Sequence, residues 1–307
     1  LLTKQSTDAY DNGLFGRYNL GFDYDLGKNQ SLTAGVSFGT RNMIRSQDMT
    51  SNLFTNNALT STTLRDVTTR DLSNNVDMNL DYIRTFKTPG KEWSISTQYS
   101  RSNLTNNFNA DLLSQSSMLL SRQKNLNSNV NQEATIQTDY QTPIKANQMF
   151  EIGAKTIMRQ VNSDYSYQVA GATGEFAADA RNPKGVLNYN QNIVAGYMSY
   201  TYSTANKYTF KVGSRYEYTT IDAQDQIGKI NIPSYGSLVP SINISKNIKG
   251  KTTVKAAYNR RIQRPGLQQL NPNFNAANPY NISIGNPNLK PELTDNFELA
   301  LSTSIKK

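Results

Sequence analysis

The residues best suited to chemistry crowd into one stretch. Asn259-Arg260-Arg261-Ile262-Gln263-Arg264-Pro265 is followed by Leu270-Asn271-Pro272, Asn278-Pro279-Tyr280 and Gly285-Asn286-Pro287-Asn288-Leu289-Lys290-Pro291-Glu292. Guanidinium groups offer paired donors to a carboxylate or phosphate, so Arg260, Arg261 and Arg264 could hold an anionic ligand. The competing reading is structural: Arg261 shares strand parity with Lys255 and Asn259, and pairs with carboxylates on neighbouring strands or on another domain. A second set opposes Asp23, Asp139 and Glu151 to Arg17, Lys155 and Arg159, and reads as ion pairs bracing a wall in preference to a proton relay.

The chain contains no Cys and no His. Thiol nucleophiles, disulfide frameworks, Cys or His metal sites and Ser-His-Asp hydrolysis are therefore excluded. Oxygen ligation of calcium or magnesium remains chemically open, but no ligand spacing such as an EF-hand loop supports it. No catalytic, cofactor-binding or metal-binding residue is assigned, no cofactor is expected, and the protein is not expected to be an enzyme.

Those residues must be positioned by a polar but ordered chain. Of 307 residues only 36% are hydrophobic, too few for a large aliphatic core, yet 18 Tyr and 11 Phe with 18% charged residues is not the aromatic-poor, charge-rich composition of disorder. The formal charge is +9, but Lys and Arg are spread along the chain without one basic face interleaved with aromatics, so no nucleic acid partner is expected. No stretch approaches the roughly 18 to 20 apolar residues of a membrane-spanning helix.

Period-two alternation dominates. Tyr18, Leu20, Phe22 and Tyr24 alternate with Asn19, Gly21 and Asp23; Val76, Met78, Leu80 and Tyr82 with Asp77, Asn79 and Asp81; Phe150, Ile152 and Ala154 with Glu151, Gly153 and Lys155. Similar runs start near residues 32, 93, 134, 194, 208, 238, 252 and 297, giving about eleven strands. Short turns rich in Gly, Pro, Asn and Lys occupy residues 27–30, 87–91, 142–147, 203–207 and 247–251, and long polar stretches, expected to be loops, occupy 42–71, 102–128, 162–189, 222–234 and 262–293. Short and long connections in alternation, with Tyr, Phe and Trp93 near strand ends, predict an all-β, antiparallel, up-and-down transmembrane β-barrel with short periplasmic turns and long extracellular loops. A soluble β-sandwich is the alternative that alternation alone permits.

About eleven strands cannot close a barrel of antiparallel neighbours, so residues 1–307 are expected to be a partial barrel domain. At about 6 Å of circumference per strand, a barrel of roughly 22 strands is about 44 Å across, and these eleven make about half its wall.

The Arg260–Pro265 and Gly285–Glu292 segments resemble the barrel signature of TonB-dependent outer-membrane receptors, particularly the Bacteroidetes-type outer-membrane β-barrel family, in which Arg-Arg-Ile-x-Arg-Pro precedes Gly-Asn-Pro-x-Leu-Lys-Pro-Glu. The resemblance implies residence in the cell outer membrane of a Gram-negative bacterium, ligand uptake driven by the TonB complex through an N-terminal plug domain, and closing strands C-terminal to the signature. Plug, closing strands and the family's terminal aromatic residue are not found in this sequence. Outer-membrane lipid, lipopolysaccharide and a surface lipoprotein are the further partners expected; the substrate is not legible. A passive porin-like channel or an adhesion or assembly scaffold is the alternative function.

Overall fold

The structure is a computed structural model that describes residues 1–179, 184–248, 251–270, 275–278 and 281–303. Six long strands come first: β1 (Leu2–Gly27), β2 (Gln30–Thr55), β3 (Ala58–Thr85), β4 (Glu92–Ser114), β5 (Leu119–Lys145) and β6 (Gln148–Gly171). A two-residue flap, β7 (Ala177–Ala178), pairs back on β6, and β8 (Gly185–Ser203) and β9 (Tyr208–Gln224) follow, with β10 (Lys229–Ile230) returning on β9. Then come β11 (Tyr235–Ile248), β12 (Thr252–Gln263), the helical turn α1 (Leu267–Leu270), the hairpin β13 (Asn275–Asn278) and β14 (Asn281–Ser283), and β15 (Glu292–Thr303).

Eleven strands form one antiparallel path, β1-β2-β3-β4-β5-β6-β8-β9-β11-β12-β15, in which each pairs with its neighbour in sequence. This is the up-and-down meander predicted, with the predicted strand at each place in the path. The sheet is open, with β1 and β15 at its edges.

The expected long loops are largely strand. Residues 42–71 continue the β2–β3 ladder from Asn42↔Leu72 to Thr55↔Ala58, closed by Asn56 and Asn57 at φ 51° and 65°. Two successive positive φ values suit the twist of a tight hairpin, and Asn adopts them at low cost. Residues 102–128 likewise run in β4 and β5 around a turn at Ser114–Met118, with Ser117 at φ 62°. Much of 162–189 lies in β6 and β8, although 180–183 fall outside the described residues. Residues 222–234 are shortened by the β9–β10 pair. Residues 222–234 and 262–293 are the stretches that leave the sheet for most of their described length.

The apolar face changes sides along the strands. Next to the short turns it points outward: Leu80 is 46% exposed and Leu299 80%. Farther up the same strands the opposite parity becomes apolar and buried, as in Met49, Val67, Phe108, Ala110 and Tyr167, which form one cluster, and Val161, Leu187, Tyr189 and Ala223, which form another. The outward parity there is polar, including the cross-strand row Asp8, Asp48, Asp66 and Asp111. The wall faces lipid below this switch and water above it.

Candidate functional site

The signature arginines are sent to three different environments by strand alternation and by the exit of the chain from β12. Arg260 faces outward and makes paired bonds to Asp295 on β15, Nε to Oδ1 at 2.8 Å and Nη2 to Oδ2 at 3.0 Å, while the Tyr258 hydroxyl donates to the same carboxylate at 2.9 Å. Arg261 faces the lumen and donates through Nε to Asn259 Oδ1 at 3.3 Å. Arg264, beyond the strand, turns inward and donates to Glu217 of β9. The carboxylate pairing expected of Arg261 is thus made by its neighbours at 260 and 264 instead.

Glu217 is only 5% exposed and holds two cations, since Arg215 Nε also donates to it at 2.6 Å. Buried carboxylates need this compensation, because desolvation otherwise costs several kcal/mol per ion. Next to this pair, Arg159 of β6 donates to the Pro265 carbonyl at 3.3 Å. The Gly266 amide donates to Gln269 Oε1 at 2.8 Å and starts α1. Leu270, 1% exposed, then packs into the lumenal cluster of Val161, Leu187, Tyr189 and Ala223. Burial there pushes the Tyr189 hydroxyl up to about 12.

The second half of the signature meets the first where Glu292 pairs with Gln263 at the start of β15, and it meets α1 where the Asn286 amide donates to the Gln269 carbonyl at 2.6 Å. Asn286 Oδ1 accepts from the Asn288 amide at 2.9 Å, fixing the turn between Pro287 and Leu289. Asn288, Leu289 and Lys290 are exposed, Pro287 and Pro291 half-buried, and Glu292 opens β15 opposite Gln263. The structure therefore brings Arg264, Pro265 and Asn286 into one inward-folded segment, and leaves Lys290 and Glu292 outside it.

Below this segment the lumenal wall bounds a cavity of about 780 Å³ lined by Asp139, Glu151, Lys155, Tyr197, Lys211 and Arg261 among others. Among the described residues, none of the expected ion pairs of Asp23, Asp139 and Glu151 with Arg17, Lys155 and Arg159 forms, and the carboxylates find other partners. Glu151 binds Lys211 and the Ser199 hydroxyl, and Asp139 accepts from the Tyr197 hydroxyl at 2.5 Å and Gln137 Nε2 at 2.8 Å. Asp23 accepts from Thr33 at 2.7 Å, and Arg17 donates to Ser37 at 3.3 Å. Residues four apart on a strand stand roughly 13 Å from each other, too far for Glu151 to reach Lys155, whereas directly opposed residues are about 5 Å apart.

Tyr197, Arg215, Glu217 and Leu270 were not singled out by the sequence. Arg215 and Glu217 carried a signal, two opposite charges of lumenal parity on β9. Gly153 carried another: a Cβ there would meet the Tyr197 ring at 2.4 Å, so the glycine is the floor on which that ring lies.

An antiparallel meander with an outward apolar band, a polar lumen and aromatic side chains at the band's edges defines an outer-membrane β-barrel wall. The chain belongs to the outer membrane protein beta-barrel family, whose profile matches residues 84–307. Its place is accordingly the outer membrane, crossed many times by strands. None of the curated proteins compared with the sequence matches it.

Among solved structures, FpvA of P. aeruginosa, bound to heterologous pyoverdines, is similar at TM-score 0.50 and 9% identity, over 95% of this chain and 45% of that one. BauA, the ferric preacinetobactin receptor from Acinetobacter baumannii, gives TM-score 0.49 and 10% identity over 98% of this chain and 52% of that one. The copper transporter OprC gives 0.49 and 11% over 99% and 53%. At 9% identity the likeness to FpvA is one of fold, and the chain spans about half the length of each of the three.

Proposed function

We propose that this chain forms part of the wall of a TonB-dependent transporter that takes a ligand up across the outer membrane, without catalysing a reaction. The observation that carries the reading is the inward fold of the signature segment. Arg264, Pro265 and Leu270 are anchored on the lumenal faces of β6, β8 and β9, above a polar cavity, where a ligand entering from outside would meet them. The plug, its TonB-contacting segment, any surface lipoprotein and contacts with lipopolysaccharide belong to this proposal, as does the completion of the barrel by further strands.

A second reading, a surface scaffold or passive channel, draws support from the length of β1 to β6, which extends a polar outer face well past the apolar band. One experiment separates them. The native polypeptide, purified from outer membranes, is placed in a planar lipid bilayer and separately mixed with the purified C-terminal domain of TonB. A plugged transporter stays electrically silent and binds that domain; steady conductance without binding would overturn the transport reading in favour of the passive one.

A further inference from the structure

The two ends of the wall are charged differently: the upper end mixes both signs, whereas the short-turn end is basic alone. Above the apolar band stands the aspartate row Asp8, Asp48, Asp66 and Asp111. At the other end every short turn carries lysine and none carries an acid: Lys28, Lys87 with Lys91, Lys145, Lys207 and Lys251. None of these six reaches a carboxylate among the described residues. Five are exposed and Lys91 is half-buried. The nearby acids Asp25 and Glu92 have lumenal parity, and Glu92 lines the cavity, so the lysines at the rim are unopposed from outside.

The outward side of this rim is built of cations on aromatic rings. Lys91 Nζ lies 5.1 Å from the Phe86 ring centre and 5.8 Å from that of Tyr140, and Arg84 lies 5.2 Å from Phe86. Lys246 Nζ stands 4.3 Å over the Tyr208 ring and donates to its hydroxyl at 2.7 Å. Rings of this kind settle at the headgroup level of a bilayer, and long basic side chains beside them reach toward the polar boundary. Lys91, Arg84 and Lys246 are thereby held at the depth of lipid phosphates, and the other turn lysines stand beside or below them on the same rim.

We propose that the short-turn rim is a binding surface for anionic phospholipid headgroups of the leaflet facing the periplasm. It needs only insertion of the wall with its short turns toward that side, not transport. The attraction of a lysine to an anionic surface corresponds to a preference on the order of five-fold per residue, and is weakened by salt.

The test reconstitutes the purified full-length protein in phosphatidylcholine vesicles and compares association of spin-labelled phosphatidylglycerol and spin-labelled phosphatidylcholine by electron spin resonance. A preference for phosphatidylglycerol of about five-fold is expected, falling toward unity when the six turn lysines are replaced by Gln and retained when they are replaced by Arg. Should the six-fold Gln variant fail to fold, the triple variant Lys28→Gln, Lys145→Gln, Lys207→Gln is expected to show an intermediate preference. Absence of any preference in the native protein overturns the proposal, and is the result expected if the rim serves an acidic periplasmic protein. The same preference in a folded Gln variant also overturns it, because the headgroups would then bind elsewhere.

Discussion

Glu217 illustrates how one side chain can hold a segment that has almost no secondary structure. It ties Arg264 to Arg215, and the chain between β12 and β15 gains its inward course from that bond, the Pro265 carbonyl and Leu270. Glu217→Gln should cost about 2 kcal/mol, because it leaves half-covered guanidinium groups short of a counter-charge. Hydrogen exchange should quicken in residues 264–270 while the ladder of β8 and β9 stays protected; unchanged exchange there would remove Glu217 from the role. Gly153→Val should displace the Tyr197 ring from its floor, break its bond to Asp139 and cost about 1 to 3 kcal/mol in thermal unfolding. Asp66 stands in the hairpin above the band, where loss of water, and then the like charges of Asp48 and Asp111, hold its carboxyl above the usual carboxylate range. The folded state therefore binds that proton more tightly than the unfolded chain, and the strain from the ionised group is relieved as pH falls through the raised value. Asp66→Asn should slow exchange at the β2–β3 tip near neutral pH, with the advantage fading toward pH 4, the region of the ordinary Asp value.

At the scale of elements, alternation located the eleven strands because lipid on one side and a wet lumen on the other impose a period of two. It understated their lengths. Above the band both faces carry Asn, Ser, Thr and Asp, so the hydrophobic signal fades while the backbone pairing of Asn42↔Leu72 and its successors continues unbroken. A trace of the continuation was present as a change of parity, from Met158 to Val161 in β6 and from Tyr99 to Phe108 in β4, where a reader searching for one apolar face sees only irregularity. The site was less legible than the fold, since Arg264 and Glu217 are 47 residues apart and only folding shows that they meet. Two outcomes follow for the elements. Leu80→Arg should destabilise the membrane-inserted protein by about 2 to 4 kcal/mol, and the lumenal change Ser302→Arg by clearly less; equal losses in denaturant titrations would contradict the assignment of faces. An epitope inserted between Asn56 and Asn57 should be reached by antibody on intact cells, because barrels of this kind turn their longer connections to the cell exterior and this turn tips a hairpin on the side opposite the short turns; labelling only after outer-membrane rupture would invert the orientation.

At the largest scale the described residues form a sheet edged by β1 and β15, with a lipid-facing band, a basic lower rim and a tall polar upper wall. β2 has 26 residues, of which about ten suffice to cross a membrane, so about 40 Å of wall stands above the bilayer once strand tilt is allowed for. What keeps such a wall at its proper depth is the change of apolar face, found at Phe38 and Met49 in β2, Val76 and Val67 in β3, Tyr99 and Phe108 in β4, Met158 and Val161 in β6, and Val194 and Leu187 in β8. It is a waterline drawn on five planks. Sinking would drown the polar outer rows in hydrocarbon, and rising would beach the apolar ones, so each strand resists both and the wall levels itself.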